Sequence, residues 1–158
     1  SLPHPGSRPV SSIQLGADEA PIPHRLVVLD GERRGPATNL AVMSNVAPSY
    51  APPGQAQISV EIPGPLVDTD AELLVAVRRQ LRGWFGSAVD RWEHLRTLRI
   101  PHGHPDQRDG FPVKRRVRLG AARYVCGDHR DTASIQGALY SGRRTASAII
   151  ADLRSSPA

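Results

Sequence analysis

The sequence predicts an α+β fold: a mixed or antiparallel sheet, a helix packed with it, and a terminal strand–helix unit. Three observations carry this. Residues 56–62 alternate Ile58, Val60 and Ile62 with Ser59 and Glu61, the period of a strand with one buried face. Leu74, Val77, Leu81 and Trp84 recur at helical spacing. Residues 124–128 read as a strand ending in Gly-Asp, and residues 134–153 as a long helix after it.

In chain order, residues 1–24 carry Pro3, Pro5, Pro9, Pro21 and Pro23 without sustained periodicity and read as an irregular segment. Residues 25–30 are a Leu- and Val-rich strand ended by the turn dipeptide Asp30-Gly31. A second strand is expected at 40–44. A rigid Pro-rich loop at 47–54 leads to the third at 56–62, which Pro63-Gly64-Pro65 stops. Thr69-Asp-Ala-Glu72 has capping-box spacing and opens a helix over 70–85, with Gly83 or Gly86 as its stop and arginines on a solvated face. Residues 92–100 suit a half-buried strand, and residues 101–112 a loop.

The chain has 158 residues, 20 Lys+Arg against 15 Asp+Glu, and one cysteine. One cysteine excludes an intramolecular disulfide and a multi-cysteine zinc site. No apolar run approaches the roughly 18–20 residues that span a bilayer, and no charged start precedes an apolar stretch, so neither a membrane span nor a signal peptide is expected. A cytoplasmic protein is the default, and a chain opening on Ser1 is expected to begin within a longer protein. The basic excess lies after residue 69, where sixteen basic residues face nine acidic ones. Its densest cluster, Lys114, Arg115, Arg116 and Arg118, has no interleaved aromatics for base stacking, so no nucleic-acid partner is expected.

The chemistry concentrates at the C-terminus. A strand that delivers Asp128 beside a helix start makes two anchors: a carboxylate for hydroxyl groups, and unpaired N–H groups for electron-rich oxygens. Ser134 or Thr132 suits the N-cap. Gly137 and Gly142 inside the helix each cost roughly 1 kcal/mol against Ala. Close approach would offset that, along a smooth strip of Ala138, Gly142 and Ala146 on the face that also carries Ile135, Leu139 and Leu153. From the residues alone an ordinary crossover, with Asp128 as a turn residue and the glycines permitting packing, is the commoner arrangement.

Gly127-Asp128, then Ser134-Ile-Gln-Gly-Ala138 and Ser141-Gly142-Arg143, resembles the C-terminal FAD-binding motif of FAD-dependent oxidoreductases of the amine-oxidase and phytoene-dehydrogenase type. Residues 39–53 and 99–105 resemble more loosely the substrate-domain strands and the loop before the motif. The resemblance implies FAD as cofactor, with Asp128 at its ribityl or phosphate portion. It implies that the amides around Ile135, Gln136 and Gly137 meet the flavin carbonyl and ring edge, with Gly127, Ser134 and Ala138 as further cofactor-binding residues. It also implies three segments: irregular 1–24, part of a substrate-binding domain over 25–112, and the C-terminal part of a Rossmann-like FAD domain over 113–158. The implied reaction moves hydride between a small organic substrate and FAD.

The family's G-x-G-x-x-G, whose glycines admit the FAD pyrophosphate, is absent from these 158 residues. The expected object is therefore the C-terminal portion of a flavoprotein, completed by a missing N-terminal half or a separate Rossmann subunit. Its rival is a truncated remnant or a small basic binding module. Such a piece should expose the helix face around Ala138 and Gly142 and self-associate. His102, His104 and Asp106 lack a third strong ligand, so no metal is expected. Cys126 reads as a buried small hydrophobe. No catalytic acid or base stands out.

Overall fold

The computed structural model describes residues 6–65, 69–107 and 112–155. The irregular reading of 1–5 and the loop reading of 108–111 lie outside the described residues. The chain divides into two compact units, Arg8–Gly103 and Ser1–Ser7 with His104–Ala158.

The first unit is built on a five-stranded sheet of β1 (Ser7–Ala17), β2 (Val27–Leu29), β3 (Asn39–Val42), β4 (Ala56–Pro63) and β5 (Glu93–Pro105), in the order β2-β3-β4-β1-β5. β1 with β4, β3 with β4 and β2 with β3 pair antiparallel. A single turn, α1 (Met43–Val46), follows β3. Thr69 caps α2 (Asp70–Phe85): its hydroxyl accepts the Glu72 N–H at 3.3 Å while Glu72 accepts the Thr69 N–H at 2.9 Å. Gly86, at φ +66°, ends it.

The expectation of an irregular 1–24 is corrected here, because residues 7–17 form β1, an inner strand. Proline-rich flanks hid its period: Ile13, Leu15 and Ala17 point to the core, and Pro9 sits near the strand's start, where a missing N–H is tolerated. Val10 faces Pro63 and Ala17 faces Ala56 across the β1–β4 ladder. The loop expected from 101 is likewise corrected, since β5 runs on to Pro105. As an outer strand of the sheet, β5 accommodates Pro101 and Pro105.

The core joins Ile13, Leu15, Leu40, Ile58 and Val60 of the sheet to Leu73, Val77 and Leu81 of α2, with Val89 and Trp92 beyond the helix. Burying each large aliphatic contributes about 1.5–3 kcal/mol. Gln80 also faces inward. Its Oε1 accepts the Ala37 N–H at 2.9 Å and its Nε2 donates to the Ala37 carbonyl at 2.8 Å, as a neighbouring strand would.

The second unit holds a hairpin, β6 (Arg118–Gly120) with β7 (Arg123–Tyr124), and the long helix α3 (Ile135–Ser155). Asp152 of α3 takes a bidentate contact from Arg118 at 2.8 and 2.6 Å and a hydrogen bond from the Tyr124 hydroxyl. Arg118, one of the clustered basic residues, is thus already neutralised within the chain.

Candidate functional site

After β7 the chain stays extended through Val125, whose N–H donates to the Val117 carbonyl at 2.9 Å. Gly127, at φ +139°, then turns it, and a Cβ there would lie 2.6 Å from the His129 ring. Asp128 opens the 3₁₀ turn Asp128–Arg130 instead of ending a strand. The expected strand over 124–128 is therefore shorter, because only glycine suits the backbone that Gly127 adopts.

Ser141 anchors this turn. Its buried hydroxyl accepts the Gly127 N–H at 2.9 Å, and its own proton lies between the Gly127 and Ala138 carbonyls, at 2.8 and 2.9 Å. Thr145, one helical turn on, meets the Val125 carbonyl at 3.2 Å. The packing face of α3 is thus Gly137, Ser141 and Thr145. The opposite side carries the apolar residues outward: Ile135 is 79% exposed, Leu139 69% and Leu153 73%.

Ser134 is the N-cap of the two candidates. Its hydroxyl accepts the Gly137 N–H at 3.0 Å and its carbonyl the Ala138 N–H at 2.9 Å. Among the described residues, the Ile135 and Gln136 amides have no acceptor within the chain. Gly137 is required by the chain itself, since a Cβ there would sit 1.9 Å from the Thr132 carbonyl oxygen, whereas a Cβ at Gly142 would meet nothing within 4 Å. Asp128 is 40% exposed, and its Oδ1 accepts the His129 N–H at 2.8 Å while its second oxygen has no partner among the described residues.

Gly127 rests against Ser141, seven residues from Ser134. At 1.5 Å per residue, Ser141 stands about 8–9 Å along α3 from the free Ile135 and Gln136 amides.

Behind this surface, Arg144 bonds the Arg130 carbonyl at 2.7 Å and the Arg115 carbonyl at 3.2 Å, and pairs with buried Asp131 at 3.2 Å. Gln107 holds the same turn through the Asp131 carbonyl and the Ala133 N–H. Burial, then the Arg130 charge, pull the His129 ring below its ordinary pKa, partly opposed by Asp128. Burial and neighbouring Arg115 lower Arg130 as well. The sequence reading named Ser141 only as part of the motif and missed Arg144 and Gln107, whose partners are main-chain groups that leave no spacing to read.

Cys126 is exposed, which corrects its reading as a buried hydrophobe: Val125 and Gly127 turn to α3 and leave the residue between them outward. His102 and His104 lie on β5, and no group of three metal-ligating side chains occurs among the described residues. No described helix is long and apolar enough to cross a membrane.

The fold is shared with solved structures. An oxidoreductase from Methanosarcina mazei superimposes with a TM-score of 0.60 at 16% identity, over 89% of this chain and 34% of that one. Reduced UDP-galactopyranose mutase superimposes with a TM-score of 0.53 at 17% identity, over 63% of this chain and 22% of that one. The chain therefore spans about a third of the first and about a fifth of the second. No curated protein matches its sequence. The sequence profile of flavin containing amine oxidoreductases matches residues 1–150, and the chain belongs to that family.

Proposed function

We propose that the chain is the C-terminal portion of an FAD-dependent oxidoreductase and that the surface from Gly127 to Ala138 holds part of the FAD. The observation that carries this is a free Asp128 carboxylate oxygen, on a turn that Ser141 ties to α3, together with the free Ile135 and Gln136 amides at the start of the same helix. Gly127 shapes the turn. Ser134 and Gly137 order the helix start, and Ala138 continues it without a bulky side chain. In this reading Asp128 accepts from ribityl hydroxyls, while the two amides and the positive end of α3 stabilise electron density on the flavin ring. Bound FAD supplies hydride transfer with a small organic substrate.

The phosphate-cradling glycine motif does not occur in these 158 residues. The adenosine half is accordingly held by a Rossmann-type partner region, in the same polypeptide or a separate subunit. The outward face of α3, with Ile135, Leu139 and Leu153, suits burial against that region.

The test is an absorption spectrum of the chain purified with its upstream coding region, in wild-type and Asp128→Ala forms. Flavin bands in the wild type, lost or weakened in the variant, are the expected result. A flavin-free wild type, or a variant that retains flavin with unchanged affinity, would overturn the reading in favour of a remnant or binding module.

A further inference from the structure

The turn that carries Asp128 also holds a cation without a counter-ion. Arg130 closes the 3₁₀ turn Asp128–Arg130 and is only 7% exposed. Its main chain is engaged: the N–H donates to the Gly127 carbonyl at 3.0 Å, and its own carbonyl accepts the Arg115 N–H at 3.0 Å and Arg144 at 2.7 Å. Its guanidinium has neither a hydrogen bond nor an ion pair among the described residues, and its Nε is sealed from solvent without an acceptor.

The nearby carboxylates are turned to other groups. Asp128 accepts the His129 N–H through Oδ1, and Asp131 pairs with Arg144. The neighbouring charge that acts on Arg130 is Arg115, of its own sign. A buried guanidinium left uncompensated is strongly unfavourable. A Met or Gln side chain would fill the same space without that cost, so the arginine marks a place where an anion arrives. Asp128, two positions before it, keeps a free oxygen that suits hydroxyl donors. A molecule that brings hydroxyls beside an anion satisfies both residues, and a ribityl phosphate does so, because its hydroxyl-bearing carbons end on the phosphate. A protein carboxylate would serve Arg130 but offer Asp128 only repulsion.

We propose that Arg130 binds the pyrophosphate of FAD and makes the site select phosphorylated flavins over riboflavin. The proposal rests on the flavin reading of the Gly127–Ala138 surface and adds a residue that this reading does not use. The planar guanidinium can meet two phosphate oxygens at once.

The test uses the protein joined to its dinucleotide-binding region, freed of flavin, in wild-type, Arg130→Gln and Arg130→Lys forms, each titrated with FAD and with riboflavin. FAD affinity is expected to fall about tenfold or more in Arg130→Gln and to recover in large part in Arg130→Lys, while riboflavin affinity stays unchanged. The phosphorus NMR signals of bound FAD should differ between wild type and Arg130→Gln, with the flavin absorption bands in place. Unchanged FAD affinity in Arg130→Gln, or equal losses for FAD and riboflavin, would overturn the role of Arg130 and leave the flavin reading standing. A wild type that binds no FAD would overturn both. In the wild type alone, the Arg130 Nε–H signal should shift on adding FAD and not riboflavin, a readout that stands even if the glutamine variant fails to fold; no shift with FAD would contradict the proposal.

Discussion

The Ser141 hydroxyl takes both main-chain groups of Gly127, accepting its N–H at 2.9 Å and approaching its carbonyl at 2.8 Å. One fully buried side chain thereby ties the Asp128 turn to the middle of α3. Ser141→Ala leaves the Gly127 N–H without its acceptor and is expected to cost about 1–3 kcal/mol. Urea unfolding monitored at the second unit checks this, and an unchanged midpoint would show the contact to be dispensable.

Gln80 plays the corresponding part in the other unit, where it completes the hydrogen bonding of Ala37 and reaches Asp30 Oδ2 at 2.9 Å. Gln80→Leu keeps the volume but orphans both Ala37 groups, for an expected loss of about 2–3 kcal/mol. Gly35 belongs to the same arrangement, since a Cβ there would come within 2.2 Å of Gln80 Oε1. Chemical denaturation of each variant measures both effects.

The two glycines of α3 should part company on substitution. Gly137→Ala forces a methyl into the Thr132 carbonyl and is expected to destabilise by about 3 kcal/mol, the upper range for overpacking. Gly142→Ala meets open space and is expected to raise the melting temperature through helix propensity, by up to about 1 kcal/mol. Equal effects in thermal melts would contradict the packing described.

The Arg118–Tyr124–Asp152 cluster gives the second unit a pH signature on two sides. The Tyr124 hydroxyl and the Arg118 guanidinium hold Asp152 below its ordinary value, so its contribution is present above that value and is lost as pH falls through the lowered one. The same Asp152 contact holds Tyr124 above its ordinary value, so that contribution is present below the ordinary value and is lost as pH rises through the raised one. Tyr124→Phe should flatten both limbs of a stability–pH curve, which unfolding at a series of pH values would reveal.

Period and capping made β4 and α2 legible in the sequence, because each has one wet face and one dry one. β1 escaped because Pro9 and the prolines around the strand mark a loop locally, while its partner, β4, lies about forty or more residues on. The motif at residues 127–142 disclosed the family, and the exposed Ile135 and Leu139 agree with the expected uncovered helix face. The reason for Gly137 was hidden, as its close contact is with Thr132 of the same chain. Alternation showed the polar face of β4, and only the β1–β4 register set Ser59 and Glu61 opposite Gln14 and Ser12.

The central claim is that the start of α3 receives the flavin. Amide hydrogen exchange with and without FAD, in the protein joined to its dinucleotide-binding region, tests it residue by residue. The expected result is new protection at Ile135 and Gln136, with little change at Gly137, whose N–H already bonds Ser134. Bound FAD that leaves the Ile135 and Gln136 amides as exposed as before would contradict it.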